Sequence, residues 1–424
     1  MKTILNKFFF RSNNLKSISK NIKDLSSNKP VKKIFDVINS FSEESEIRYV
    51  GGCIRKIINN EKVDDIDLAT NLEPKQICET LKENNISFYT TGIEHGTITA
   101  LIDEYKFEIT SLREDVSTDG RHAKVKFSND WKKDASRRDF TINSIYSDMY
   151  GNLFDPYEGK KDLENGFVNF IGDTDKRIKE DYLRILRYIR FFLNYSSQSH
   201  NPELIKKLKL NIEGVSKLSK ERLLDELKKM MKVKTLEKLS KDKICKDLIQ
   251  IIFPELKNIS IFSKLDTDKR NRLKESDFIF ILALLVIDET DNLDYFLYKF
   301  NISNKDKKRI KNIDDFFKDK FSSKIFSEEN MNKIFYHNGR QAILDILIYK
   351  IIKTKKFDEN LYKFLDFYEN KSKPILPISA DLLMTKYKIP EGRQLGIKLK
   401  MIEEEWVKNN FKLSDKQLDI ILNT

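Results

Sequence analysis

The chain is predicted to fold as a mixed α/β head followed by an all-α remainder. Between about residues 31 and 160, strand-like alternation is interleaved with helical patterns; beyond that, apolar residues recur at helical spacing with lysines outside. At 424 residues the chain is long enough for about three domains and a substantial core.

Residues 1–30 read as a basic extension in which Asp24 is the lone acid and Phe8, Phe9 and Phe10 stand together. A basic, acid-poor start suits a transit peptide, yet the segment is lysine-led with Arg11 its single arginine, which suits a floppy or helical bacterial extension as well. The expected location is cytoplasmic.

The head follows over residues 31–160. In YVGGCIRKIINNEKVDDIDLA, which begins at Tyr49, residues 63–68 are predicted as a strand, so Asp65 and Asp67 project together while Ile66 enters the core. Two carboxylates on one face make a hard oxygen site suited to Mg²⁺. Gly51 and Gly52 let the backbone turn sharply and bring its N–H groups close to a triphosphate, with Arg55 one turn on to carry positive charge. Asp64 faces the other way, toward solvent.

Next, ITALIDEYKFEITSLRED reads as a hairpin, residues 98–102 and 106–111 about a turn at Asp103-Glu104. Phe107 and Ile109 share one face, leaving Glu108 on the other. Alone it would be an ordinary surface glutamate. Beside a D-x-D strand it is the candidate for a third carboxylate near an attacking hydroxyl, completing a metal-dependent nucleotidyl transfer site. The polar stretch after it, LREDVSTDGRHAKVKFSNDWKKDAS, with its Asp119-Gly120 pair, is expected to be a mobile loop, and His122 a loop residue.

These residues belong to a wider resemblance. GGCIRK followed by DDID, then RRDFTINSI at 137–145, DPYEGKKDL at 155–163, EDYLRILRYIRF at 180–191 and SKERLLDELKKMM at 219–231 resemble, in order, the motifs of the class II tRNA nucleotidyltransferases (CCA-adding enzymes), a family that includes bacterial poly(A) polymerases. LPISADLLMTKYKIPEGRQLGIKLKMIEEEWV resembles the tail of bacterial members. Lys56 and Asp64 depart from the family pattern where an aspartate and a lysine are common, beside the metal ligands rather than among them. The resemblance implies a polymerase-beta-like nucleotidyltransferase head, a helical neck over 161–232 that reads the base, and a helical body and tail over 233–424 that bind tRNA. It implies Asp65 and Asp67 as ligands of Mg²⁺, and CTP and ATP as substrates added to the tRNA 3′ end. In the family the polar loop helps the site pass from C to A addition, which favours full CCA synthesis.

The neck motif suggests how one pocket accepts cytosine and adenine. If EDYLRILRYIRF is one helix, Asp181 and Arg184 are neighbours on a face from which Arg187 and Arg190 spiral away. Both accepted bases offer an exocyclic amine beside a ring-nitrogen acceptor. A carboxylate accepts and a guanidinium donates, so Asp181 can take the amine and Arg184 can give to the ring nitrogen. Uracil and guanine would leave polar groups unpaired, at roughly 1 to 3 kcal/mol each. The resemblance adds Arg187 and Arg190 as residues that help hold the nucleotide. In RRDFTINSI, Arg138 is the expected nucleotide contact, with Asp139 and Asn143 serving the ribose hydroxyls and Asp139 capping a helix. Asp155 and Asp162 are expected to brace the junction between domains.

Past residue 235, KDLIQIIFPEL, DFIFILALLVI, QAILDILIYKII and NLYKFLDFYE are helical stripes too irregular for a repeat array. GRQLG at 392–396 reads as a helix start. With 78 Lys+Arg against 66 Asp+Glu, the net charge of +12 favours a polyanionic partner. Cys53, Cys78 and Cys245 are too scattered for structural zinc, no histidine is followed by Asp as in phosphohydrolase HD sites, and no apolar run approaches the ~20 residues of a membrane span. Addition of part of CCA, CC alone or A alone, stays open, and two alternatives remain beside it. One is a poly(A) polymerase, although SLREDVSTDGRHAKV differs from the usual GRRFRLAHV-like stretch; the other is a catalytically silent RNA-binding protein.

Overall fold

The computed structural model describes residues 15–63, 65–119, 122–318 and 325–423, so Phe8–Phe10 and Asp64 lie outside it. The chain divides into two compact units, residues 1–226 and 227–424.

The first unit is built on a sheet. A helix over 15–26 (α1) buries Ile18 and Ile22, and its Ser26 hydroxyl meets the Tyr49 hydroxyl at 2.8 Å. The described half of the basic extension is thus an ordered helix anchored to the head. After α2 (Lys29–Asn39) come β1 (Ile47–Val50), α3 (Gly52–Ile58), β2 (Ile66–Thr70) and α4 (Pro74–Glu83). Then follow β3 (Ser87–Gly92), β4 (Thr97–Ile102), β5 (Tyr105–Ser111), β6 (Arg113–Asp119), β7 (His122–Phe127) and α5 (Trp131–Ser136), with β8 (Tyr146–Ser147) and β9 (Leu153–Phe154) last among the strands. Among the described residues, seven strands form one sheet in the order β3-β4-β5-β2-β1-β8-β9. It is mixed, because β2 runs parallel to β5 while its other neighbour β1 is antiparallel. Leu68, Ile98, Phe107 and Ile109 are fully buried on it.

Three local expectations are corrected. The strand after the double glycine starts at Ile66 and runs to Thr70, leaving Asp65 just ahead of it. The stretch expected as a mobile loop is a two-stranded antiparallel hairpin, β6-β7, followed by α5, with His122 opening β7. Its ladder pairs Arg113 with Phe127 and Asp115 with Val125. The helix expected across Asp181 is two, α7 (Thr174–Glu180) and α8 (Leu183–Tyr195). The two are separated because Asp181 adopts an extended backbone, φ −155° and ψ 106°.

Before these two helices lies α6 (Gly159–Asn165), and after them come α9 (Pro202–Asn211) and α10 (Lys220–Met230). The 227–424 unit is helical throughout its described residues. Phe278–Val286 is almost wholly apolar and buried from Phe280 onward, whereas Glu328–Asn338, Arg340–Lys353 and Glu359–Asn370 pack amphipathic faces around Phe335, Leu347, Leu365 and Tyr368. A second cluster, with Leu383, Ile402 and Leu418, joins the last three helices. Gly392 is the residue before Arg393–Lys408, as a helix start requires. No helix among the described residues is long and apolar enough to cross a membrane.

Candidate active site

The β2-β5 pair builds an acidic face. Asp67 stands opposite Glu108 and Ile66 opposite Phe107, so the period of two sends both carboxylates to one side and both apolar residues to the other. Burial pushes the Asp67 carboxyl up from its ordinary range; Arg138 offsets part of this and the charge of Asp65 adds to it. Glu108 is raised too, first by burial and then by Asp67 and Asp65. The three acidic groups singled out in the sequence therefore share one electrostatic neighbourhood.

The glycine turn lies against this face. Gly51 has φ +64°, in the region that favours glycine, and a Cβ on Gly52 would sit 3.3 Å from Asp67 Oδ2. One expectation is corrected: the Gly51 N–H donates to the Ile145 carbonyl at 3.2 Å, so it is engaged within the protein instead of facing a triphosphate. Arg55 is also drawn inward. It is buried, donates from Nη1 to Asn143 Oδ1, and stacks 4.7 Å from the Phe191 ring and 5.0 Å from that of Tyr195. The charges of Arg55 and Lys56 both reach Asp67.

RRDFTINSI supplies the floor. Asp139 precedes a single 3₁₀ turn, Thr141–Asn143, whose cap residue is Phe140, so Asp139 does not cap a helix as expected. Its Oδ1 accepts from Phe140 N and Asn143 Nδ2, and its Oδ2 accepts from Arg187 Nε at 2.6 Å. Burial would push this carboxyl up. Arg187, the Asn143 amide, Arg184 and the Phe140 N–H outweigh it and bring the pKa down to about 2. Arg138 donates to the Tyr146 hydroxyl at 2.9 Å and to Asp134 Oδ2 at 3.1 Å, and Tyr146 donates to the same oxygen at 2.6 Å. Asp134 also pairs with Arg137 at 2.7 Å. Against the upward push of burial, Arg137, Arg138 and Tyr146 hold Asp134 well below the usual carboxylate range.

Sequence reasoning missed Asp134. Its signal was the spacing: it stands three and four residues before Arg137 and Arg138, the separations at which helical charges meet. Arg113, also missed, donates to the His95 carbonyl and lies 3.7 Å from Asp115, fixing the base of the β6-β7 hairpin. Asp155 accepts from Gly159 N and Lys160 N at 2.8 Å and so holds the turn into α6, and Asp162 on α6 accepts from the Thr141 hydroxyl at 2.6 Å, tying that helix to the 3₁₀ turn of RRDFTINSI.

The neck residues are each held by a partner of opposite charge. Asp181 and Arg184, expected as neighbours on one helix, instead straddle the start of α8. Asp181 Oδ1 accepts from Leu183 N at 3.1 Å and Oδ2 from Arg222 Nη2 at 2.8 Å. Arg184 Nη1 donates to Glu180 Oε2 and to the Arg177 carbonyl, both at 2.6 Å. Arg177 in turn donates to Glu180 and to the carbonyls of Arg137 and Arg138. Arg190 pairs with Glu226, which is 1% exposed. The Phe191 ring gathers three guanidiniums, Arg190 at 4.1 Å, Arg55 at 4.7 Å and Arg187 at 5.7 Å.

The chain is similar to known proteins. The model of the poly A polymerase head domain matches residues 47–169, which contain the acidic face and its floor. Over 393 residues the chain is 32% identical to the mouse CCA tRNA nucleotidyltransferase 1, mitochondrial, covering 89% of this chain and 86% of the mouse protein. It is 32% identical over 306 residues to the CCA-adding enzyme of Staphylococcus haemolyticus strain JCSC1435, covering 71% and 72% of the two. Among solved structures, the Bacillus stearothermophilus CCA-adding enzyme in complex with CTP superposes with a TM-score of 0.69 at 19% identity, over 93% of this chain and 98% of that one. The superposition shows a shared fold. Near-complete coverage of the mouse enzyme at that identity goes further: the chain belongs to the family of CCA tRNA nucleotidyltransferases.

Proposed function

We propose that this protein adds CCA to the 3′ end of tRNA from CTP and ATP, without a nucleic acid template. What supports this reading most is the family membership taken with one geometric observation, the placing of Asp67 opposite Glu108 on adjacent parallel strands. The related enzymes whose solved structures are named with CTP, with ATP and with tRNA_CCA share the fold.

The donor set suits a divalent cation, as the family generally uses. Asp65, Asp67 and Glu108 are hard oxygen donors; burial first, and then the charge of neighbouring carboxylates, raises Asp67 and Glu108, and a cation would relieve that crowding of negative charge. We assign Mg²⁺ to Asp65 and Asp67, with Glu108 beside the attacking hydroxyl. A cation held there polarises the α-phosphate and offsets the charge of the leaving pyrophosphate. Asp181 accepts the exocyclic amine of cytosine or adenine, and Arg184 donates to the ring nitrogen. Arg187 and Arg190 stand on the same helix to hold the nucleotide, while Asp139 and Asn143 serve the ribose. Gly51, Gly52, Arg55 and Arg138 shape and brace the turn under the phosphates.

The test supplies purified protein, Mg²⁺ and each labelled NTP to tRNA lacking its last three nucleotides. Additions in the order C, C, A that then stop are expected. The name of the matching head model favours a second reading, poly(A) synthesis, which a long A ladder on unrelated RNA would establish instead. Retained tRNA binding with no incorporation would leave a silent RNA-binding protein. A cytoplasmic location is also proposed, since relatives include both mitochondrial and bacterial proteins; import of the full chain into isolated mitochondria would overturn it.

A further inference from the structure

The segment SKERLLDELKKMM has no role in the scheme above, yet α10 sends two side chains to the neck residues. Arg222 and Glu226 are four residues apart, so they lie on one face of the helix, and they meet Asp181 and Arg190 respectively. We propose that Arg222 is a positioning residue for nucleotide choice, fixing the Asp181 carboxylate as an acceptor in a single orientation. The inference rests on the base-reading role assigned to Asp181.

The geometry makes Arg222 a support and not a competitor. An ionised carboxylate can accept about four hydrogen bonds. Leu183 N–H occupies one position on Oδ1 and Arg222 Nη2 one on Oδ2, so each oxygen keeps capacity for an incoming amine. The backbone around it is fixed as well: Tyr182 lies flush on Gly214, where a Cβ would come within 2.1 Å of the Tyr182 ring. Main chain, cap and guanidinium together restrain the Asp181 carboxylate. Without Arg222 the carboxylate keeps the Leu183 N–H but loses its guanidinium partner, and an oxygen freer to turn can no longer reject a carbonyl consistently.

Arg184 is arranged likewise, through Glu180 at the end of α7. Acceptor and donor are therefore both steadied, one from each flanking helix.

The experiment compares kcat/KM for CTP and UTP on tRNA lacking its last three nucleotides, in the full-length protein and in Arg222→Met, Arg222→Lys, Asp181→Ala and the Arg222→Met/Asp181→Ala double variant. The CTP:UTP ratio cancels any loss of active fraction, so a merely structural role would not move it. Arg222→Met is expected to lower the ratio by about tenfold, the lower end of what hydrogen-bonding partners of site residues are worth. Arg222→Lys should recover part of it, and the double variant should be no worse than Asp181→Ala. An unchanged ratio in Arg222→Met, with Asp181→Ala impaired, overturns this inference alone. An unchanged ratio in both overturns the base-reading role and this inference with it. Should the Met variant not fold, Arg222→Lys decides: a ratio equal to that of the parent protein overturns the proposal.

Discussion

Gly52 shows how narrow the tolerances are at the level of single residues. Its missing Cβ leaves Asp67 Oδ2 only 3.3 Å of clearance, so Gly52→Ala must displace the carboxylate by a few tenths of an ångström. A shift of that kind in a metal-dependent site is expected to lower kcat/KM by roughly tenfold while the melting temperature holds, since misplacement near 1 Å costs about a hundredfold. Steady-state kinetics beside a thermal melt check this. The raised Asp67 and Glu108 carry a second expectation. Protons compete with the cation from a higher pH than at ordinary carboxylates, so the Mg²⁺ needed for half-maximal rate should climb as pH is lowered from about 8 toward about 5. Asp139 behaves oppositely. Its folded pKa lies below the unfolded 3.8, so its contribution of about 2 kcal/mol is complete above about pH 4 and lost as pH falls toward about 2. Urea melts of Asp139→Asn should therefore show lower stability at neutral pH and a shallower loss over that acid range. The shared face of Asp67 and Glu108 was legible in the sequence because alternation sets each acid against an apolar neighbour, whereas Asp65 lies just ahead of the strand. Asp134 and Arg222 were not legible, because each earns its place through a partner that only the tertiary fold brings near.

At the level of elements, the parallel pairing of β2 with β5 was the decisive feature that no local pattern announced. The β4-β5 hairpin could be read from its turn, but its register against a strand some forty residues earlier is set by packing across the sheet. An insertion therefore has a position-dependent outcome. One glycine added at Asp103-Glu104, in the turn, should leave activity within a few-fold, whereas one between Lys106 and Phe107 should abolish incorporation by turning Glu108 to the apolar side. Assays of the two variants, each checked by circular dichroism, test this. The helix break at Asp181 escaped sequence reading because EDYLRILRYIRF has unbroken helical propensity. The kink depends on Gly214 receiving the Tyr182 ring, thirty-odd residues away. The β6-β7 hairpin was read as a loop because its sequence is polar and carries Asp119-Gly120, while its strands pair only with each other, outside the main sheet.

For the molecule as a whole, the order of a mixed head and a helical remainder was legible from periodicity alone. The helices between about 235 and 370 were legible as helices only, since amphipathic stripes state that a face is buried without naming its neighbour. The charge excess can be placed more closely. The neck arginines stand in ion pairs: Arg184 with Glu180, Arg187 with Asp139, Arg190 with Glu226 and Arg222 with Asp181. Paired in this way, these four arginines add nothing to the net +12 of the chain. Long-range attraction of a polyanion then falls to other charges than those that select a base, and ionic strength should act as a knob on one alone. Raising monovalent salt from about 50 to about 200 mM is expected to weaken tRNA binding by at least about tenfold in a filter-binding titration. Over the same interval the preference for cytidine over uridine triphosphate should stay flat, so that a crowded, salty cell would slow capture of the adaptor RNA without making its terminus any less faithful.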